Sequence, residues 1–259
     1  MTMDPYSPEL GDWRLAFSGW ATGSGNETWE RPLPVSMTSV YRDGVKQFAF
    51  QAPSPAALQL DFAWSCAQRA EAIRPRIQLA NAEPLPGSPR IAVEIPHSYS
   101  SELFDCLQEM MGSAFFSFAA IESYCNQVIA ERSKGPIEVR SKKNGLEHLP
   151  ASVAVERLST DQKLKDIVPK LLGIPSISGR KEWQLFVNLK NARDGVTHFK
   201  RHDMARTYPA LHEPTALFRL YMADSFEYFD AAVTVLSAAM PAQKVRWLLN
   251  PKWRRTKRS

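Results

Sequence analysis

The sequence predicts an α+β protein that is predominantly α, with a small strand-containing N-terminal region followed by a series of helices. Three observations predict it. Apolar residues step by three and four from Leu103 to Val128 and again from Leu185 to Phe199, the period of helices with one buried stripe. Asp43-Gly44 separates two β-prone runs within the first fifty residues, a hairpin signal because both residues tolerate positive φ. Between these regions the chain is punctuated by Pro84, Pro86, Pro89 and Pro96, which marks a boundary and divides the chain into 1–97, 98–241 and a tail, 242–259.

Taken in order, Trp13 to Trp20 carries aromatics and a glycine without helical period and reads as extended. Val35 to Tyr41 and Val45 to Phe50 flank Arg42-Asp43-Gly44 as the two arms of the hairpin. Ser54 caps a helix, Pro55 suits its first turn, and Pro75 stops it near Arg74. Ile91 to Ile95 has room for one short strand. Ser100 or Ser101 caps the next helix, whose stripe is Leu103, Leu107, Met110, Ala114, Phe118, Ile121, Cys125 and Val128, ending near Gly135-Pro136. Ile137 to Arg140 is extended and leads into the turn Lys142 to Gly145. Helices over 151–158 and 160–172 follow, the second kinked or broken at Pro169 and stopped by Gly173. Gly179 to His202 is helical, with Leu185, Leu189, Ala192, Val196 and Phe199 on one stripe. Pro214 to Met240 reads as one last helix about 40 Å long at 1.5 Å per residue. Its two apolar stripes predict burial on more than one side, in a bundle centre or at a subunit interface.

With 259 residues, 44% of them hydrophobic and 23% charged, the chain is an ordinary globular one of one or two domains. Collagen-like, disulfide-scaffold and wholly disordered classes are excluded. No window approaches the roughly 18 consecutive apolar residues of a membrane span. Met1-Thr-Met-Asp-Pro has neither a basic start nor an apolar core, so no secretory signal is read and a cytoplasmic location is expected. Cys66, Cys106 and Cys125 have no metal-type or redox-type spacing and read as reduced, buried small hydrophobes.

The net charge of +5 is uneven. Lys244, Arg246, Lys252, Arg254, Arg255, Lys257 and Arg258 crowd into the last seventeen residues with no acid. Without those seven, 25 basic residues face 27 acidic ones, a net of −2 for the rest. The basic character is a local arm, not a uniform surface. Trp247 and Trp253 within it can stack bases while the cations bind phosphates. The same arm can lie on an anionic membrane surface, or serve only as a solubilising end.

The segment that rises above background is Asn188-Leu-Lys-Asn-Ala-Arg-Asp-Gly-Val-Thr-His198. Histidine transfers protons near neutral pH, and an always-charged arginine grips two phosphate oxygens through its fork. Those are the needs of metal-independent RNA cleavage, in which the 2′-hydroxyl attacks the adjacent phosphorus. Asp194 and His198, four apart, are neighbours on one helix face, so Asp194 can orient the imidazole. Arg193 and His198 are about 140° apart on an ideal helix. The site closes if Gly195 loosens the helix or a second subunit completes it.

Arg193-Asp194-Gly195-Val196-Thr197-His198 resembles the Arg-x4–6-His motif of the HEPN superfamily, in which the residue after the arginine is usually Asn, Asp or His. The context is similar too: a late amphipathic helix, preceded by a long helix with the polar pair Glu122-x3-Asn126 and followed by one more long helix. The resemblance covers roughly residues 98 to 241. It implies a helical bundle and a homodimer whose two motifs share a cleft. It further implies a metal-independent endoribonuclease, in a toxin or defence setting, acting on RNA and accompanied by an antitoxin or regulatory protein. Arg193, Asp194 and His198 would be catalytic, with Glu122 and Asn126 in support. Many HEPN-like proteins lack nuclease activity, so a silent dimeric binding or regulatory module is the alternative.

Other residues offer less. His97, His148, His202 and His212 lack zinc-ligand spacing, and no metal site is read. No Gly-x-Gly-x-x-Gly or Walker-type loop occurs, so no cofactor is implied. Gly23-Ser24-Gly25 lacks nucleophile-elbow spacing and reads as a turn. Lys134, Lys142 and Lys143 flank a turn as solubilising charges, and Glu122 and Asn126 can equally form a solvated helix edge. A small-molecule site in the N-terminal β region is a third class.

Overall fold

Polar side chains near the N-terminus decide where the first strand begins. In this computed structural model, which describes residues 7–16, 18–24, 27–80, 83–84, 91–92, 95–141, 145–198, 215–240 and 245–253, Asp12 Oδ1 accepts the Arg14 N–H at 2.8 Å. That local turn competes with extended backbone, so the strand expected from Trp13 starts instead at Ser18. β1 (Ser18–Ser24) pairs antiparallel with β2 (Glu27–Ser36). Gly23 and Ser24 pair within this ladder. Gly25 lies outside the described residues.

β3 (Thr38–Asp43) and β4 (Lys46–Gln51) form the expected hairpin, with one correction. Asp43 pairs with Lys46, so the central turn residues are Gly44 and Val45 rather than Asp43 and Gly44. Among the described residues only glycines have positive φ, Gly44 at +52° among them. A hairpin with glycine at the first central position needs no second one.

α1 (Pro55–Ile73) is capped as expected: Ser54 Oγ accepts the Ala57 N–H at 3.3 Å. Two-residue β5 (Glu83–Pro84) and β6 (Ile91–Ala92) pair antiparallel. α2 (Ser100–Arg132) follows, led in by a 3-10 turn at His97–Tyr99. Met110, Ala114, Phe118, Ile121, Cys125 and Val128 of its predicted stripe are buried. β7 (Ile137–Ser141) pairs with β8 (Gly145–Leu149), a partner strand that the sequence reading leaves out.

α3 (Ala151–Arg157) and α4 (Thr160–Gln162) precede a π-helical turn over Lys163–Ile167, then α5 (Val168–Leu172). The sequence places a kink at Pro169. The chain answers the missing proline N–H with a wider turn just before it, in which Val168 N–H reaches Lys163 O. Gly173, at φ +65°, ends α5.

α6 (Lys181–Thr197) buries Phe186 and Leu189, while Leu185, Ala192 and Val196 of the expected stripe are half-buried. The expected continuation to His202 passes into residues outside those described. The single helix expected over 214–240 is two helices, α7 (Ala216–Met222) and α8 (Glu227–Ala239). Ala223 is extended, and Asp224 Oδ1 accepts the Phe226 N–H at 2.9 Å. Asp224 thus caps a new helix where the apolar pattern alone runs through. The fold is α+β and predominantly α.

The chain forms two compact units, both drawing on residues from either side of position 97. The first holds 1–59, 119–180 and 233–259. Its core includes Ile129, Ile137, Val139, Leu149, Ala154 and Ile167, which joins the end of α2 to the β7–β8 hairpin and the helices after it. The second holds 60–118 and 181–232. There Trp64 packs against Phe226 and Phe229, with ring centroids 4.9 and 5.0 Å away. Bidentate Arg69–Glu109 hydrogen bonds of 2.7 and 2.9 Å join α1 to α2. Among the described residues, no helix is long and apolar enough to cross a membrane.

Candidate functional site

The Arg193–His198 motif occupies the last turns of α6, in the second unit. Phe186 and Arg193 are seven residues apart, two turns along one face, and both meet the ring of Phe118. Phe186 stacks on it at 5.9 Å between centroids. The guanidinium carbon of Arg193 lies over it at 4.1 Å. Phe118 is 2% exposed, so this cation–π contact is shielded from water on the ring side. Arg193 Nη1 also meets Asp194 Oδ1 at 3.0 Å. Its Nε is buried without a hydrogen-bond partner among the described residues.

Asp194 is therefore engaged with Arg193, whereas its spacing from His198 offered it to the imidazole. His198 follows the last helical residue, its N–H bonded to Asp194 O at 2.9 Å, and its side chain is exposed. Thr197 Oγ1 donates back to Arg193 O at 2.7 Å, which ties the final turn to the arginine. α6 runs unbroken through Gly195. A Cβ there would stand 3.3 Å from Ala216 Cβ on α7, so this glycine serves close helix packing rather than a loosened helix.

Glu122 and Asn126 belong to the first unit and have partners of their own there. Glu122 Oε1 accepts from Thr160 Oγ1 at 3.3 Å. Asn126 Oδ1 accepts from Lys163 Nζ at 2.8 Å, and the same ammonium donates to Val155 O at 2.6 Å. Lys163 is only 2% exposed. Burial lowers its pKa, opposed by the nearby Glu122 charge. Sequence reasoning passed over this lysine. Its signal is spacing: Thr160, Lys163, Leu164, Ile167 and Leu171 step by three and four, which puts Lys163 on the buried stripe.

In the tail, Arg246 donates to Leu10 O at 3.2 Å and Gly11 O at 2.9 Å, and Trp247 is buried. Trp247 is thus core, not a stacking surface. Lys252 is exposed, while Lys244, Arg254, Arg255, Lys257 and Arg258 lie outside the described residues. Lys134, His97 and His148 are exposed; Lys142, Lys143, His202 and His212 are outside the description. Cys66, Cys106 and Cys125 are free and buried, as expected. Among the described residues, no group of three His, Cys, Asp or Glu side chains is placed to hold a metal ion.

Comparison of the chain with family models, with curated proteins and with solved structures gives no match. What the fold and the site define is a predominantly helical α+β protein carrying an arginine braced by an aromatic ring and a carboxylate, beside an exposed histidine at a helix end.

Proposed function

We propose that this chain is a HEPN-like, metal-independent endoribonuclease in which Arg193 and His198 act on the scissile phosphate. The observation that carries the reading is the bracing of Arg193. Phe118 at 4.1 Å and Asp194 at 3.0 Å fix the guanidinium before any substrate arrives. A preoriented cation stabilises developing phosphorane charge without a reorganisation cost. The exposed imidazole of His198 supplies proton transfer. The RNA 2′-oxygen forms its bond to phosphorus as the P–O5′ bond breaks. The imidazole takes the 2′-proton, and O5′ gains a proton from a second imidazole or from water. The products are a 2′,3′-cyclic phosphate and a free 5′-hydroxyl. Because α6 is unbroken, Arg193 and His198 of one copy diverge, so two copies in a homodimer complete one cleft.

The test is RNA cleavage by the purified chain in EDTA. His198→Ala should reduce the rate by roughly two to four orders of magnitude while the protein stays folded and dimeric. A magnesium requirement, or full activity without His198, would sink the mechanism. One observation favours a second reading, a silent HEPN-like dimeric module: Asp194 already neutralises Arg193. A pure, folded dimer that cleaves no RNA tested would establish that reading over the first.

A further inference from the structure

Neither face of the β3–β4 hairpin is packed. Every residue from Val40 to Gln51 is exposed, and among the described residues no third strand joins the two. A two-stranded hairpin is marginal in water; further strands and a shared apolar face are what stabilise one. Tyr41 pairs with Phe48 and Ser39 with Phe50, so the three rings lie on one side of the hairpin. They are 61, 51 and 54% exposed, which leaves about 300 Å² of aromatic surface in water. The outer edge of β4 is open as well. Ala52 N–H donates to Met37 O at 2.8 Å, so that pair is hydrogen-bonded and, by alternation, the 38/51, 40/49 and 42/47 pairs are not. The backbone N–H and C=O groups of Gln47, Ala49 and Gln51 therefore point away from β3. The two glutamine side chains are engaged within the chain: Gln47 Oε1 accepts from Arg42 Nε at 3.2 Å, and Gln51 Nε2 donates to Ser36 Oγ at 3.1 Å. From Gln47 to Gln51 no charge, proline or bulge blunts this edge.

We infer that β4 pairs antiparallel with β4 of a second copy of this chain, about a two-fold axis at Ala49. The sequence selects that partner, because Gln47-Phe48-Ala49-Phe50-Gln51 reads the same in both directions. An antiparallel copy puts Gln47 opposite the partner's Gln51, Phe48 opposite the partner's Phe50 and Ala49 opposite the partner's Ala49. The outward-facing residues then bond one another, and each phenylalanine pair falls at the closer spacing of about 4.5 Å between Cα atoms. The pairing ends at Gln51, since Ala52 is buried and its carbonyl accepts the Ala16 N–H at 2.8 Å. Lys46 of each copy stands at an opposite end, so no like charges face each other. The product is a four-stranded sheet with six rings on one face. Any strand can use the backbone of an open edge; a second copy also matches its side chains on both faces by symmetry. β4 lies in the first unit and owes nothing to Arg193 or His198, so the pairing stands apart from the nuclease reading.

Sedimentation equilibrium of the full chain, without RNA, tests the pairing. At micromolar concentration the wild type should give about 58 kDa, twice the 29.2 kDa chain. Ala49→Pro removes the outward N–H at the axis and leaves the bonds to β3 in place. With two symmetric hydrogen bonds lost, it should raise the dissociation constant roughly tenfold or more. Phe48→Lys combined with Phe50→Lys replaces exposed rings by the residue that natural edges use against pairing. It sets like charges opposite each other and should weaken the dimer at least as much, with circular dichroism unchanged. Ala49→Cys should form a disulfide between copies in oxidised glutathione, because paired Cα atoms about 5.5 Å apart fit one. Cys66, Cys106 and Cys125 are buried and do not compete. Gln47→Cys should not crosslink to its own counterpart, which lies roughly 14 Å along the strand. A wild type that stays at 29.2 kDa, or a dimer that both folded variants leave intact, would overturn the pairing. Equal crosslinking at positions 47 and 49 would overturn its register. Co-sedimentation of a monomeric wild type with phosphatidylserine vesicles would give the aromatic face to a membrane instead.

Discussion

Lys163 Nζ donates to Asn126 Oδ1 at 2.8 Å, and this bond gives the Glu122-x3-Asn126 pair of α2 a partner on the π-helical turn that follows α4. An ammonium only 2% exposed is costly to strip of water. Two short hydrogen bonds, to Asn126 and to Val155 O, offset that cost. Asn126 thus accepts from a buried cation, while Glu122, one turn away, accepts from Thr160.

Removing one partner of the Lys163–Asn126 bond should therefore cost more than removing both. Asn126→Leu leaves the ammonium with one strong acceptor fewer and should destabilise by about 1.5–3 kcal/mol, the usual worth of a hydrogen bond to a charge. Lys163→Met combined with Asn126→Leu should recover much of the loss, because no buried charge remains. Urea unfolding of the single and double variants measures the difference. Additive losses would show that the two residues are energetically separate.

A second prediction follows from the closeness of α1 and α2 in the second unit. A glycine inside a helix ordinarily costs about 0.5–1 kcal/mol relative to alanine, so Gly112→Ala should stabilise an open site. At this position a Cβ would stand 2.8 Å from Cys66 Sγ, and Cys66 is buried with little room to yield. Overpacking, typically about 1–3 kcal/mol, should win, and the variant should melt lower. In a Cys66→Ala background the same substitution should be much less harmful.

The thiols give a pH dependence with a definite sign. Burial pushes Cys66 from 9.0 up to about 11 and Cys125 from 9.0 up to about 12. Above about pH 9 the unfolded chain releases these protons and the native chain keeps them. Stability is therefore fully present below pH 9 and falls as pH climbs toward 11 and 12, with a slope of at most roughly 1.4 kcal/mol per pH unit for each thiol. Cys125→Ala should flatten the fall. In native buffer at pH 8 a disulfide reagent should modify none of the three cysteines, and all three should react in denaturant. Fast native modification would contradict the burial.

Local chemistry explains which parts of this fold could be read in advance. The stripe of α2 is legible because six of its residues obey one period and all six are buried. The break between α7 and α8 is not, because a single carboxylate, Asp224, ends an apolar pattern that would otherwise continue. Asp12 does the same to the first strand. In the motif, spacing paired Asp194 with His198, yet the adjacent guanidinium is the stronger partner for a carboxylate. Phe118 beneath Arg193 is remote in sequence, and no pattern within α6 announces it.

That aromatic contact supplies the last prediction. Lysine keeps the charge of Arg193 but lacks the planar guanidinium that lies on Phe118 while pairing with Asp194. If the braced guanidinium stabilises a phosphorane, Arg193→Lys should lose nearly as much cleavage as Arg193→Ala, about a hundred-fold or more. Phe118→Leu keeps the arginine and removes the ring at 4.1 Å, so its loss should fall on kcat more than on KM, as expected when orientation is spoiled and binding is not. If the chain is a silent module, Arg193→Lys should change only stability, by about 1 kcal/mol or less. Cleavage that tracks charge alone, with Arg193→Lys as active as wild type, would remove the braced fork from the mechanism and leave Phe118 a purely structural neighbour.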